Sequence, residues 1–87
     1  LAAEKEAVDT FSYIAEKLEG KSRLPTTEND WNSVHAMAYD AKPAVRDVDA
    51  EKIALEIFTR VFRKLPARPF AWNVVHMFAY ANGFSNR

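Results

Sequence analysis

The sequence predicts an all-α protein, two tandem helical hairpins packed as a compact four-helix unit. Two observations carry this. Leu24-Pro25, Trp31-Asn32, Val34-His35 and Ala38-Tyr39 recur 41 residues later as Leu65-Pro66, Trp72-Asn73, Val75-His76 and Ala79-Tyr80. Eight identities in one register define the pattern L-P-x5-W-N-x-V-H-x-x-A-Y, and a period of this size marks stacked helical hairpins. In addition, apolar residues recur at helical spacing in four segments. No segment alternates with period two over a useful length, so no strand is predicted.

The first helix is expected from about Ala3 to Glu19. It places Ala7, Val8, Phe11, Ile14, Ala15 and Leu18 on one narrow face, and Gly20 supplies its stop. The second begins after Thr27, whose side chain can cap the free amides. Glu28 and Asp30 follow where the helix dipole favours negative charge. It runs to about Ala41, and Pro43 prevents continuation. The third starts near Asp47 or Asp49 and runs to about Lys64, with Pro66 ending it. The fourth opens with Pro69, where a missing amide costs little, and closes at Asn82-Gly83. Phe11, Ile14 and Leu18 are read as counterparts of Phe58, Val61 and Leu65. The chain is then one domain, with repeat one over about 3–42 and repeat two over about 47–84. The first hairpin has the longer connection.

A chain of 87 residues buries only roughly 60–65% of its unfolded surface. Its stability must come from dense packing, a partner or further copies of the repeat. The 48% hydrophobic content marks an ordered protein. The absence of cysteine excludes disulfides, thiol catalysis and Cys-based zinc sites. No run approaches the ~20 apolar residues of a membrane span. The start at Leu1 reads as that of a mature or excised fragment. Net charge is zero but unevenly placed: residues 1–43 carry −3 and residues 44–87 carry +3. A neutral chain has no general attraction to nucleic acid, whereas an acidic front and basic rear favour head-to-tail contact between copies.

Trp31, His35 and Tyr39 share one helix face with Val34 and Ala38; Trp72, Val75, His76, Ala79 and Tyr80 form the equivalent stripe. These ten residues are read as the repeat core, with Trp filling the space between paired helices, Ala permitting close approach and Tyr reaching the edge. The Leu-Pro pair is expected to fix the turn and plug the hairpin end. The two histidines occupy equivalent positions, which raises an alternative of a small bundle holding a metal or haem between His35 and His76. No other residue type repeats at metal-ligand spacing, so no cofactor is assigned.

No enzyme is predicted. Ser12, Ser22, Ser33 and Ser85 lack a local Asp/His partnership, and two glycines make no phosphate loop. Glu4, Glu6, Asp9, Glu16 and Glu19 read as a solvated face. Arg60, Arg63, Lys64 and Arg68 sit where cations complement the dipole of the third helix.

The two repeats also differ. Phe70, Val74, Met77, Ala81 and Phe84 form a second apolar seam on the fourth helix, at spacing 4, 3, 4, 3. The matching positions in the second helix are Asn29, Ser33, Ala36, Asp40 and Pro43, mostly polar. The third helix is also broadly apolar, so the third and fourth must be covered on two sides, by the first two helices, another copy or a different protein. The seam is therefore read as an interface.

The tandem L-P-x5-W-x-x-V-x-x-x-A-Y pattern, over roughly residues 24–39 and 65–80, resembles short helical repeats in large bacterial proteins, many of which look secreted or surface-attached. The resemblance implies no catalytic residues. The tetratricopeptide pattern is not matched, because the period differs and no W-x2-L-G-x2-Y block is present. The expected role is a non-enzymatic structural or interaction module that self-associates, or packs on neighbouring repeats, through the fourth helix. The alternative is an adaptor that binds a partner helix or peptide.

Overall fold

The computed structural model describes residues 2–81 and residue 84. Four helices follow one another: α1 (Ala2–Glu19), α2 (Glu28–Tyr39), α3 (Val48–Phe62) and α4 (Pro69–Tyr80). No strand occurs among the described residues. The predicted end of the last helix at Asn82-Gly83 lies outside them, as does Ser85.

The helix ends are set by local chemistry. Thr27 caps α2: its hydroxyl accepts from the Asp30 amide at 3.0 Å, and the Asp30 carboxylate accepts from the Thr27 amide at 3.1 Å. Asp47 caps α3 through the Ala50 amide at 3.0 Å. Pro69 opens α4, where no side chain caps the amides. At the other ends, Gly20 (φ 88°), Asp40 (φ 54°) and Arg63 (φ 61°) turn the chain out of α1, α2 and α3 in the left-handed region.

α1 packs on α2 and α3 on α4, α2 packs on α4, and α1 touches α3 only lightly. The order around the unit is therefore α1, α2, α4, α3. The Cα radius of gyration is 11.7 Å, close to the ~12 Å of a compact chain this long. Phe11, Ile14, Met37, Val74, Met77 and Phe84 meet in one core with Ala54, Phe58 and Val61.

The repeat is visible in the structure in two registers. α2 and α4 are both twelve residues long and start 41 residues apart. The long helices match at an offset of 47: buried Ala7, Phe11 and Ile14 correspond to buried Ala54, Phe58 and Val61. Glu4 and Glu51 match in the same way, each taking the hydroxyl of its hairpin's tyrosine, Tyr39 or Tyr80. The six-residue difference has two sources. Past the matched glutamate, α1 runs one turn further than α3, and the connection 20–27 is two residues longer than 63–68. Leu65, expected to pair with Leu18, lies in that second connection and is exposed.

Two expectations are corrected. The seam of α4 is not an open interface. Val74 and Met77 are buried and Phe70 is partly buried, while Ala81 stands at the cap and the buried Phe84 lies beyond the end of α4 and not on the helix. The Phe84 ring packs on Phe11 of α1 with centroids 4.8 Å apart. The seam closes inside the unit because α4, with five consecutive buried residues from Val74 to Phe78, is flanked by both α2 and α3. The repeated stripe is not uniformly core. Val34, Val75 and His76 are buried and Ala38, Ala79 and Tyr80 partly so, but Trp31, His35, Tyr39 and Trp72 are exposed. On α2 the inward positions are Asp30, Ser33, Val34, Ala36 and Met37. That places the aromatic stripe on the opposite side of the helix.

Truncation should separate the two faces. Met77→Ala is expected to cost ~2–5 kcal/mol, a large part of the stability of so small a domain. Trp31→Ala and Trp72→Ala should each cost much less, although they remove the larger side chain. Chemical denaturation of the three variants checks this ordering.

Candidate interaction surface

The duplicated residues fall into two groups once placed in space. In the first group exposure is the same in both repeats. Leu24 and Leu65 are each 66% exposed, and Trp31 and Trp72 are 42% and 44% exposed. The Leu-Pro turn does not plug the hairpin end as expected: the proline turns inward in the first repeat while the leucine stands in solvent. Each hairpin therefore presents an outward leucine in its connection and an outward tryptophan in the first turn or so of its second helix. On α2 the aromatic surface continues: Trp31, His35 and Tyr39 line up with successive ring centroids 6.3 Å apart.

In the second group exposure differs. Asn32, His35 and Tyr39 are exposed, while Asn73 and Tyr80 are half-buried and His76 is buried. What covers the second set is the end of α2 and the segment after it. Asn73 Nδ2 donates to the Met37 carbonyl at 2.9 Å. His76 Nδ1 lies 2.7 Å from Asp40 Oδ1, and since an ionised carboxylate only accepts, the ring nitrogen donates. Burial opposes the ionisation of Asp40, but hydrogen bonds from Lys42 and His76 outweigh it and hold its pKa below the ordinary value. The Tyr80 hydroxyl accepts from the Asp47 amide at 2.9 Å. From the other side, Ser33 Oγ donates to the Ala81 carbonyl at 2.7 Å. The two histidines thus have different surroundings: one beside exposed rings, the other bonded to Asp40. No group of three or more metal-ligating side chains exists among the described residues.

Charged groups brace the hairpins. Arg23 is held between α1 and α2: Nε donates to Glu19 at 2.8 Å and Nη1 to Asp30 at 2.8 Å, and the guanidinium sits 5.1 Å from the Phe11 ring centre. The hydrogen bond from Arg23, helped by the Thr26 and Thr27 amides, keeps the Asp30 carboxyl far below its usual range against the cost of burial. In the second hairpin Ala71 stands at the Asp30 position and this lock is missing. There, Arg46 and Tyr80 both bond Glu51 and draw its pKa down to about 2. Of the basic cluster, Arg63 caps α3 and Arg68 reaches Glu6 of α1 at 2.9 Å. A groove of about 230 Å³ lies between α3, the connection 63–68 and α4, lined by Phe58, Phe62, Phe70 and Val74 with Lys64 and Arg68 among its polar residues. None of the ion pairs across connections was legible in the sequence; the Arg23-to-Asp30 spacing gives no signal without the fold.

Acid should weaken the unit through these carboxylates. Asp30 and Glu51 have folded-state pKa values below the unfolded ones. Their contribution is complete above about pH 5 and is lost as pH falls through the folded values. Asp30→Asn should lower the thermal midpoint at pH 7, and the gap from the parent should shrink as pH drops below about 4. Melts followed by circular dichroism between pH 7 and pH 2 check this.

No helix among the described residues is long and apolar enough to cross a membrane. The chain matches no known protein family, no curated protein and no solved structure.

Proposed function

We propose that this chain is a non-catalytic interaction module that joins copies or neighbouring repeats into a larger assembly through the outward leucine–tryptophan surface. One observation supports the reading above others. Leu24 and Trp31 are duplicated as Leu65 and Trp72, yet all four are substantially exposed, to nearly equal extents in the two repeats. The unit's own core does not use these side chains fully. Full exposure of a large apolar side chain forgoes ~1.5–3 kcal/mol of burial, of which these four forgo a part, and an outward tryptophan is the residue type that anchors protein interfaces. The −3 and +3 halves of the chain favour head-to-tail contact between copies. The resemblance to repeats of large, often surface-attached bacterial proteins suits such a setting.

A second reading has its own observation. The groove between α3, the connection 63–68 and α4 is apolar inside, with basic residues among those that line it. It suits an adaptor that takes an apolar side chain of an acidic partner peptide.

Light scattering across concentration tests the first reading. The parent should gain mass as concentration rises, and Trp31→Arg with Trp72→Arg should hold the chain monomeric while its helicity is kept. A parent that stays monomeric throughout contradicts self-association through this surface.

A further inference from the structure

The contact between the two hairpins is not symmetric. α2 contributes Ser33, the Met37 carbonyl and Asp40; α4 contributes Asn73, His76 and the Ala81 carbonyl. In repeat register, the α4 donors Asn73 and His76 match Asn32 and His35 of α2. If the hairpins faced each other across a twofold axis, matched positions would be equally covered. Instead His76 is buried and His35 exposed, and Asn73 is half-buried and Asn32 exposed. The joint is heterologous, a relation that continues in one direction unless something closes it.

We infer that the Asn32–His35–Tyr39 face of α2 is a stacking site for another helical hairpin of this same repeat, one whose second helix ends in an acidic left-handed cap. The partner's chemistry follows from the joint already present. A carboxylate at the cap position would meet His35 as Asp40 meets His76. The last-turn carbonyl would accept from Asn32 as Met37 does from Asn73; such carbonyls at a helix end lack an intrahelical donor. The residue that leads into the next long helix would meet Tyr39 as Asp47 meets Tyr80. Leu24 and Trp31 stay outside this joint, as Leu65 and Trp72 stay outside the existing one. A second unmodified copy does not offer the complementary end, because its Asp40 is engaged by its own His76 and its α4 carries Ala81 at the cap. The inference rests on the assembly reading only in placing the module beside further repeats.

The offset of 47 gives the register for a test. A copy of residues 1–47 joined directly ahead of the full chain places the copied Asp40 and Asp47 before α2 as the native ones stand before α4. In this extended chain NMR should find His35 protonated at Nδ1, the tautomer that the bond to Asp40 requires of His76. His35→Gln and the copied Asp40→Asn should each lower the thermal midpoint by a few degrees, and the double variant should fall no further than either alone. In the parent chain His35→Gln should leave the midpoint almost unmoved. Additive or absent effects overturn the inference, as does an extended chain whose added segment stays unfolded. Trp31→Arg with Trp72→Arg should leave this coupling intact, so loss of self-association and loss of stacking are read separately.

Discussion

The fold depends on covering α4. Five consecutive residues of this helix, from Val74 to Phe78, are buried, and only Pro69 and Trp72 stand exposed. A helix apolar nearly all round cannot be shielded by one neighbour, because a single helix covers only a stripe. α3 covers one flank and α2 another, and past the end of the helix Phe84 packs on Phe11 of α1. In the order α1, α2, α4, α3 both α2 and α4 have two full partners, and the light α1–α3 contact joins the two outer helices.

This requirement also explains why α2 turns its polar-looking side inward. Ser33 and Ala36 are small enough for α4 to come close, and the Ser33 hydroxyl donates to the Ala81 carbonyl. Asp30 is tolerated inside because it is fully engaged, by its own cap amides and by Arg23. A buried carboxylate with such partners costs little net, whereas an unpaired one is strongly unfavourable. The aromatic stripe is what remains for the outer side.

Helix number, caps and turns were legible in the sequence because they are local. Thr27 with Asp30, Pro69, Gly20 and the spacing of Ala7, Phe11 and Ile14 each act within a turn or two. The facing of α2 and α4 was not legible, because both sides of α4 read as apolar and duplication alone does not say whether a tryptophan is inside. The phase was available in principle: Val34 and Met37 share the face of Val75 and Phe78, and both pairs are buried. The offset of 47, with Glu4, Ala7 and Phe11 against Glu51, Ala54 and Phe58, is legible only in part. The shorter helices repeat at 41, which masks it. Bonds that cross between hairpins, such as Asn73 to Met37 and His76 to Asp40, depend on a joint that no local pattern encodes.

Identity between the repeats thus falls on positions of two kinds, a shared outward surface and a stacking joint whose equivalent on α2 is exposed. The claim at the centre is that the duplicated tryptophans are outside while the α4 seam is inside. Acrylamide quenching of the single-tryptophan variants Trp31→Phe and Trp72→Phe, at a concentration where the chain is monomeric, tests it most directly. The predicted result is efficient and nearly equal quenching in the two variants, with emission characteristic of a partly hydrated indole. Strong shielding of both, with blue-shifted emission, would contradict it and return the tryptophans to the core.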